Sequence, residues 1–400
     1  MLKKLKFPEK SQILMKAFIF MMSTAAILLS VNGNAQPEVW DVNDVSVLLP
    51  LPTDLTSDAI LKTTSEGERG ALLPGKYLNL LPPLAGSDHP EFVKSQLAVV
   101  GIRIDPCFPG IDPSGAPCRV QIRMVWQPLT SVNGKQVSTL DAAVHTFYDL
   151  SQTEFSEFSQ KLFTLNKDSK VNTQGLPLQI HPALASKGYA SPYWPKLKTL
   201  VLAYAGEFRL SRITFMTLEV PGQMWDFGGF DIDQKRAVHM VIPRIGTRQQ
   251  SLVNRSQVEF EFLGGEKPEP PLSTPDILNP VVTNSARLLA KDEDLLRSSV
   301  EATYRIENPK FHSPATVECV SCHISQSVRG WAIKKFPEFN FDQSIFKFTS
   351  PLNLENQTGD YRAPKILRAF GYQGSEPSVN QRTINESANV AEEMTLKVIP

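Results

Sequence analysis

Two thiols separated by two residues and followed at once by an imidazole stand out in this 400-residue chain: Cys319, Cys322 and His323, within "TVECVSCHIS". Residues three apart share one face of a helical turn. Both sulfurs can therefore reach one bound group, and the next residue can turn its ring toward the same place. Such a set can anchor a cofactor covalently, ligate a soft metal, or cycle between dithiol and disulfide. Each use demands different surroundings.

A redox dithiol wants a buried strand and a helix start within a βαβ pattern. Ahead of this motif stands "NPKFHSPATVE", with two prolines and no strand-like run. A zinc site would recruit His312 to Cys319, Cys322 and His323. However, Cys322 and His323 are neighbours, and adjacent side chains seldom point at one metal; no second Cys-x-x-Cys completes a four-sulfur set. A plain disulfide beside a bystander histidine is the remaining bland use.

Cys319-Val320-Ser321-Cys322-His323 resembles the haem attachment motif of c-type cytochromes. The resemblance covers the motif and a surrounding helical stretch, and does not extend to the first 280 residues. It implies one covalent haem c, with Cys319 and Cys322 as thioether anchors and His323 as the proximal iron ligand. The methionine that this family usually places on the other side of the iron has one counterpart after the motif, Met394, which also fits an ordinary apolar helix face with Val390 and Ala391. His312, eleven residues before His323, is the alternative, and an open position is a third. Arg362, Lys365 and Arg368 suit haem propionates by charge, or equally a solvated helix face.

The start of the chain bears on compartment. Five lysines precede or enter an apolar stretch, "AFIFMMSTAAILLSV", that is short for a membrane span and has the length of a secretory core. Small residues follow at Gly33 and Ala35, so residues 1–35 read as a signal peptide cleaved after Ala35, with an uncleaved anchor as the alternative. The expected location is the periplasm or the cell surface. Without that segment the chain carries 36 basic against 40 acidic side chains, which argues against nucleic acid as a partner. No later run is long and apolar enough to span a membrane. In an oxidising compartment Cys107 and Cys118 read as a disulfide. They flank a loop rich in proline and glycine between two β-branched runs, where a bridge would contribute about 2–3 kcal/mol.

The expected fold class is α+β, in two domains. A β-rich region spans 36–263, a proline-rich linker 264–280, and a mainly helical, loop-rich haem domain 281–400. Strands are expected at "LAVVGIRI", "RVQIRMVW", "RITFMTLEV", "RAVHMVIP" and "SLVNRSQVEFEFL". Helices are expected at "SQTEFSEFSQKLFTL", opened by a capping box of Ser151 and Glu154, and at "PKLKTLVLAYAG". Later helices are expected over 285–306 and 383–394, where Thr383 and Glu386 repeat the capping-box spacing. His89, His145, His181 and His239 form no metal spacing, and His145 and His239 sit in alternating runs where a histidine normally packs. No phosphate loop, nucleophile elbow or His-Glu-x-x-His is present.

The function these features favour is single-electron transfer by an exported c-type cytochrome, a carrier rather than a catalyst, whose redox partner protein has no signature here. Two alternatives stand beside it: a haem enzyme or gas sensor with an open iron position, and a β-rich binding or surface protein in which the haem is accessory.

Overall fold

In the computed structural model, strands dominate wherever apolar side chains alternate. The residues described are 39–132, 136–220, 224–254, 266–274, 276, 278, 292–354 and 369–398. The expected signal peptide and Arg362, Lys365 and Arg368 lie outside them.

The strands are β1 (Ser46–Leu48), β2 (Glu66–Gly67), β3 (Gly70–Ala71), β4 (Leu97–Phe108), β5 (Arg119–Val132), β6 (Gln136–Thr139) and β7 (Ala142–Leu150). After them come β8 (Leu210–Val220), β9 (Met224–Asp233), β10 (Arg236–His239), β11 (Gln249–Asn254), β12 (Glu266–Glu269), β13 (Phe370–Gln373) and β14 (Glu376–Val379). Ten of them join one antiparallel sheet in the order β1–β4–β5–β7–β8–β9–β11–β12, with β6 on β5 and β10 on β9. Five longer helices accompany the sheet: α1 (Gln152–Asp168), α2 (Tyr193–Tyr204), α3 (Glu293–Glu307), α4 (Cys319–Lys335) and α5 (Gln381–Val398).

Because side chains alternate along a strand, the central strands present two different faces. Ile122, Met124 and Trp126 on β5, with Val144 and Tyr148 on β7 and Ile213 on β8, pack against Phe158 and Leu162 of α1 and Trp194, Leu197 and Val201 of α2. The chain crosses this face between β7 and β8, which is why both helices lie there. The expected capping box opens α1: Ser151 Oγ accepts from Glu154 N at 3.2 Å, while Glu154 Oε2 accepts from Ser151 N at 2.9 Å.

The other face is covered by the C-terminal third, and here the expected fold class is corrected. Among the described residues no separate, mainly helical C-terminal domain is seen; they are β-rich around one large antiparallel sheet. Leu296, Val300, Val320, Ile324 and Val328 of α3 and α4 bury against Met216, Leu218, Trp225, Phe227 and Leu252 of the sheet. At roughly 1.5–3 kcal/mol for each large apolar side chain removed from water, this sheet surface outcompetes a small core made from α3 and α4 alone. Glu266–Glu269, inside the stretch expected to be a linker, pairs with β11 as a strand.

The β13–β14 hairpin docks on the same face. The Gln127 side-chain amide donates to Tyr372 O at 2.9 Å and accepts from Tyr372 N at 2.7 Å, acting as a surrogate strand partner. Gly101 makes room for the hairpin, since a Cβ there would stand 2.6 Å from the Phe370 ring. Helix α5 begins two residues before Thr383. Asn380 Oδ1 accepts from Thr383 N at 2.9 Å, so the asparagine occupies the capping role expected of Thr383. Among the described residues no helix is long and apolar enough to cross a membrane.

Candidate functional site

Cys319 is the first residue of α4 and Cys322 lies one turn on, so both thiols face the same way. The start of this helix is tied to the sheet: Val320 N donates to Gln250 Oε1 on β11 at 3.0 Å. The turn before it is held by Arg244, whose Nε donates to Thr316 O at 3.0 Å. His323 then lies over β9, its ring centroid 4.9 Å from that of Phe227 and tilted by 52°.

Cys319, Cys322 and His323 all line one cavity of about 510 Å³, between α4 and the second face of the sheet. Cofactor-sized ligands occupy pockets of roughly 300–1,000 Å³. The floor is a run of same-face residues: Ala143, His145 and Phe147 on β7, Arg212, Thr214 and Met216 on β8, and Phe227 on β9. Arg103 and Arg123 extend it on β4 and β5, and Arg382, Thr383 and Glu386 of α5 close one side. Phe108, Pro109 and Pro117 come from the loop between Cys107 and Cys118, which form the expected disulfide. That bridge thus steadies a wall of the cavity.

Charge in this wall is paired. Glu386 accepts from Arg103 at 3.1 Å and from Arg382 at 2.7 Å, and Arg123 pairs with Asp105. Burial disfavours the ionised Glu386, yet Arg382, Arg103 and Arg123 outweigh it and hold its carboxyl down at about 2. At the more open edge, Arg212 meets Asp231 at 2.6 Å and Arg119 meets Asp149 at 3.2 Å. Glu318, the residue capping α4, is pushed above the usual carboxylate range by burial. Ser321 donates to its Oε1 at 2.5 Å, and its Oε2 is buried without a partner.

Burial pushes the Cys319 thiol up to about 12, reinforced by Cys322, and the Cys322 thiol up to about 11. A working redox dithiol needs a thiolate near neutral pH, which this burial opposes. His145 is held down at about 3, first by burial and then by the positive groups around the cavity, His323 foremost.

The two residues that the sequence offered as a sixth ligand, Met394 and His312, lie elsewhere. Met394 is 1% exposed and packs in the main core beside Val390 and Ala391. His312 is buried with both ring nitrogens engaged, Nδ1 with Thr316 Oγ1 at 3.0 Å and Nε2 with Asp276 Oδ2 at 2.7 Å. Neither lines the cavity. Sequence reasoning passed over His145, Arg103, Arg123 and Arg382. The available signal was the second parity of the strands: Arg123, His145, Phe147 and Arg212 occupy one alternation while Ile122, Val144, Tyr148 and Ile213 occupy the other.

A covalently attached haem needs two thiols on one helical face, an adjacent imidazole, an apolar slot and cations for two carboxylates. Cys319, Cys322, His323, the Phe108–Phe147–Phe227 lining and the arginines supply each, so the residues present fit that group. Among the described residues no three His, Cys, Asp or Glu side chains are grouped to hold a metal ion. Comparison with protein families, curated proteins and solved structures finds no match to this chain.

Proposed function

We propose that the protein is an exported c-type cytochrome that carries one covalent haem c and transfers single electrons. The observation that carries this reading is the convergence of Cys319, Cys322 and His323 on one cavity of cofactor size, lined by aromatic rings and rimmed by arginines. When bound, the group supplies a one-electron iron couple.

The chain's own residues do the rest. Cys319 and Cys322 would hold the group through thioether bonds, and His323 would ligate its iron. Phe108, Phe147 and Phe227 give the cavity an apolar lining that would exclude water from a bound group. Arg119 and Arg212, at 38% and 23% side-chain exposure, sit where propionates would reach the mouth. Export to the periplasm or cell surface agrees with the Cys107–Cys118 disulfide, since such bonds persist in oxidising compartments.

Production in a host with haem-attachment machinery tests the proposal. A reduced pyridine haemochrome that survives acid–acetone extraction is expected for the wild type. It is expected to vanish in the Cys319→Ala, Cys322→Ala double variant, whose far-ultraviolet circular dichroism should still report the sheet. Zinc in place of haem in the wild type would overturn the reading.

A further inference from the structure

We propose that His145 is the sixth iron ligand, so that the haem site is bis-histidine and closed to small gaseous ligands. This rests on the covalent haem reading above, and it replaces both far-side candidates that the sequence offers.

The argument is one of position. His145 stands at the centre of the cavity floor, opposite Val125 on β5 and Thr214 on β8, while His323 enters from α4, a separate wall. A group lying between helix and sheet therefore meets an imidazole from each side. His145 keeps accessible surface although its strand neighbours Val144 and Thr146 have none. That surface looks into the cavity. Among the described residues nothing hydrogen-bonds its ring. A histidine whose ring opens into a cavity and takes no hydrogen bond from the protein is available to a bound group, and ligation of an iron is one such use.

Two other soft donors line the same cavity, and each is less suited. Met216 is 3% exposed and packs among Trp225, Phe227 and Leu252. Met240 follows β10 and lines the cavity beside Val241 and Pro243, on a segment outside the strand ladder. His145 alone combines a central place, a free nitrogen and a strand that cannot shift without breaking two ladders. Neutral imidazole is a common iron ligand. The same closure also bears on function, because an iron held from both sides carries electrons and does not bind substrate.

The experiment uses full-length protein purified with its haem. The reduced wild type is expected to show no spectral shift under carbon monoxide, and the oxidised wild type a near-infrared magnetic circular dichroism band of the bis-imidazole class. His145→Ala should keep the same covalent haem content but bind carbon monoxide stoichiometrically, and added imidazole should restore the low-spin spectrum. Ready carbon monoxide binding by the wild type would overturn the proposal, as would an imidazole–thioether near-infrared band. Neither wild-type measurement depends on a variant that folds. If the wild type carries no covalent haem, the reading beneath falls as well; haem attached but ligated otherwise sinks this inference alone.

Discussion

Along β7, Val144 and Tyr148 point to one side of the sheet, and Ala143, His145 and Phe147 to the other. The first side meets α1 and α2 in a continuous apolar contact that includes Trp126, Phe158 and Trp194. The second side meets α4 and α5 around a cavity, and there Arg103, Arg123, Glu386 and two histidines take the places that apolar residues hold opposite. One set of strands thus carries a stabilising face and a face whose polar groups lower the stability that packing alone would give. Natural chains tolerate such groups where they serve a purpose. The contrast marks the second face as the candidate site before any motif is considered.

The contrast can be broken by substitutions on each side. Phe158→Ala, on the packed face, removes a fully buried ring and should cost about 3–5 kcal/mol in denaturant unfolding. Haem content per folded molecule should be unchanged; loss of haem from this variant would show that the two faces are not separable.

Next in size is the acid dependence of the cavity face. Glu386 has a folded pKa of about 2, below its ordinary value of 4.5, so its contribution is present above the unfolded value. That contribution is lost as pH falls from about 4.5 through 2, on the order of 3 kcal/mol. Unfolding measured across that range should show stability declining with acid, and Glu386→Gln should flatten the decline while lowering stability at neutral pH. A wild-type curve that is already flat would show that Arg103, Arg123 and Arg382 do not hold the carboxylate.

The smallest effect belongs to the helix cap. Ser151→Ala should cost about 1 kcal/mol, read as a shift in denaturant midpoint. It should leave the haem spectrum untouched, because α1 lies across the sheet from the cavity.

Much of the packed face was legible in the sequence, because its signals are local. Alternation marked β4, β5 and β8, Ser151 and Glu154 marked the start of α1, and Leu197, Leu200, Val201 and Tyr204 marked one side of α2, where all but the half-buried Leu200 are buried. The disulfide was legible from its flanking strands. The motif residues were also readable, since their spacing is itself a local fact. What escaped was assembly. Gln127 meets Tyr372 across 245 residues of chain, and no periodicity reports such a contact. Helices α3 and α4 have apolar stripes that fit an independent bundle as well as a sheet, so the sequence suggested a separate helical domain where the helices in fact pack on the sheet's second face. His145 escaped for a related reason: within its own strand it reads as a packing residue, and only the approach of α4 and α5 makes its neighbourhood a cavity.

The central claim is that this cavity holds one haem fixed through Cys319 and Cys322. Intact mass of the purified, exported chain tests it most directly. The account predicts the polypeptide plus one haem, with the addition mapping by proteolysis to the peptide that contains both cysteines. A mass equal to the polypeptide alone, from a host that attaches haem to other proteins, would contradict it.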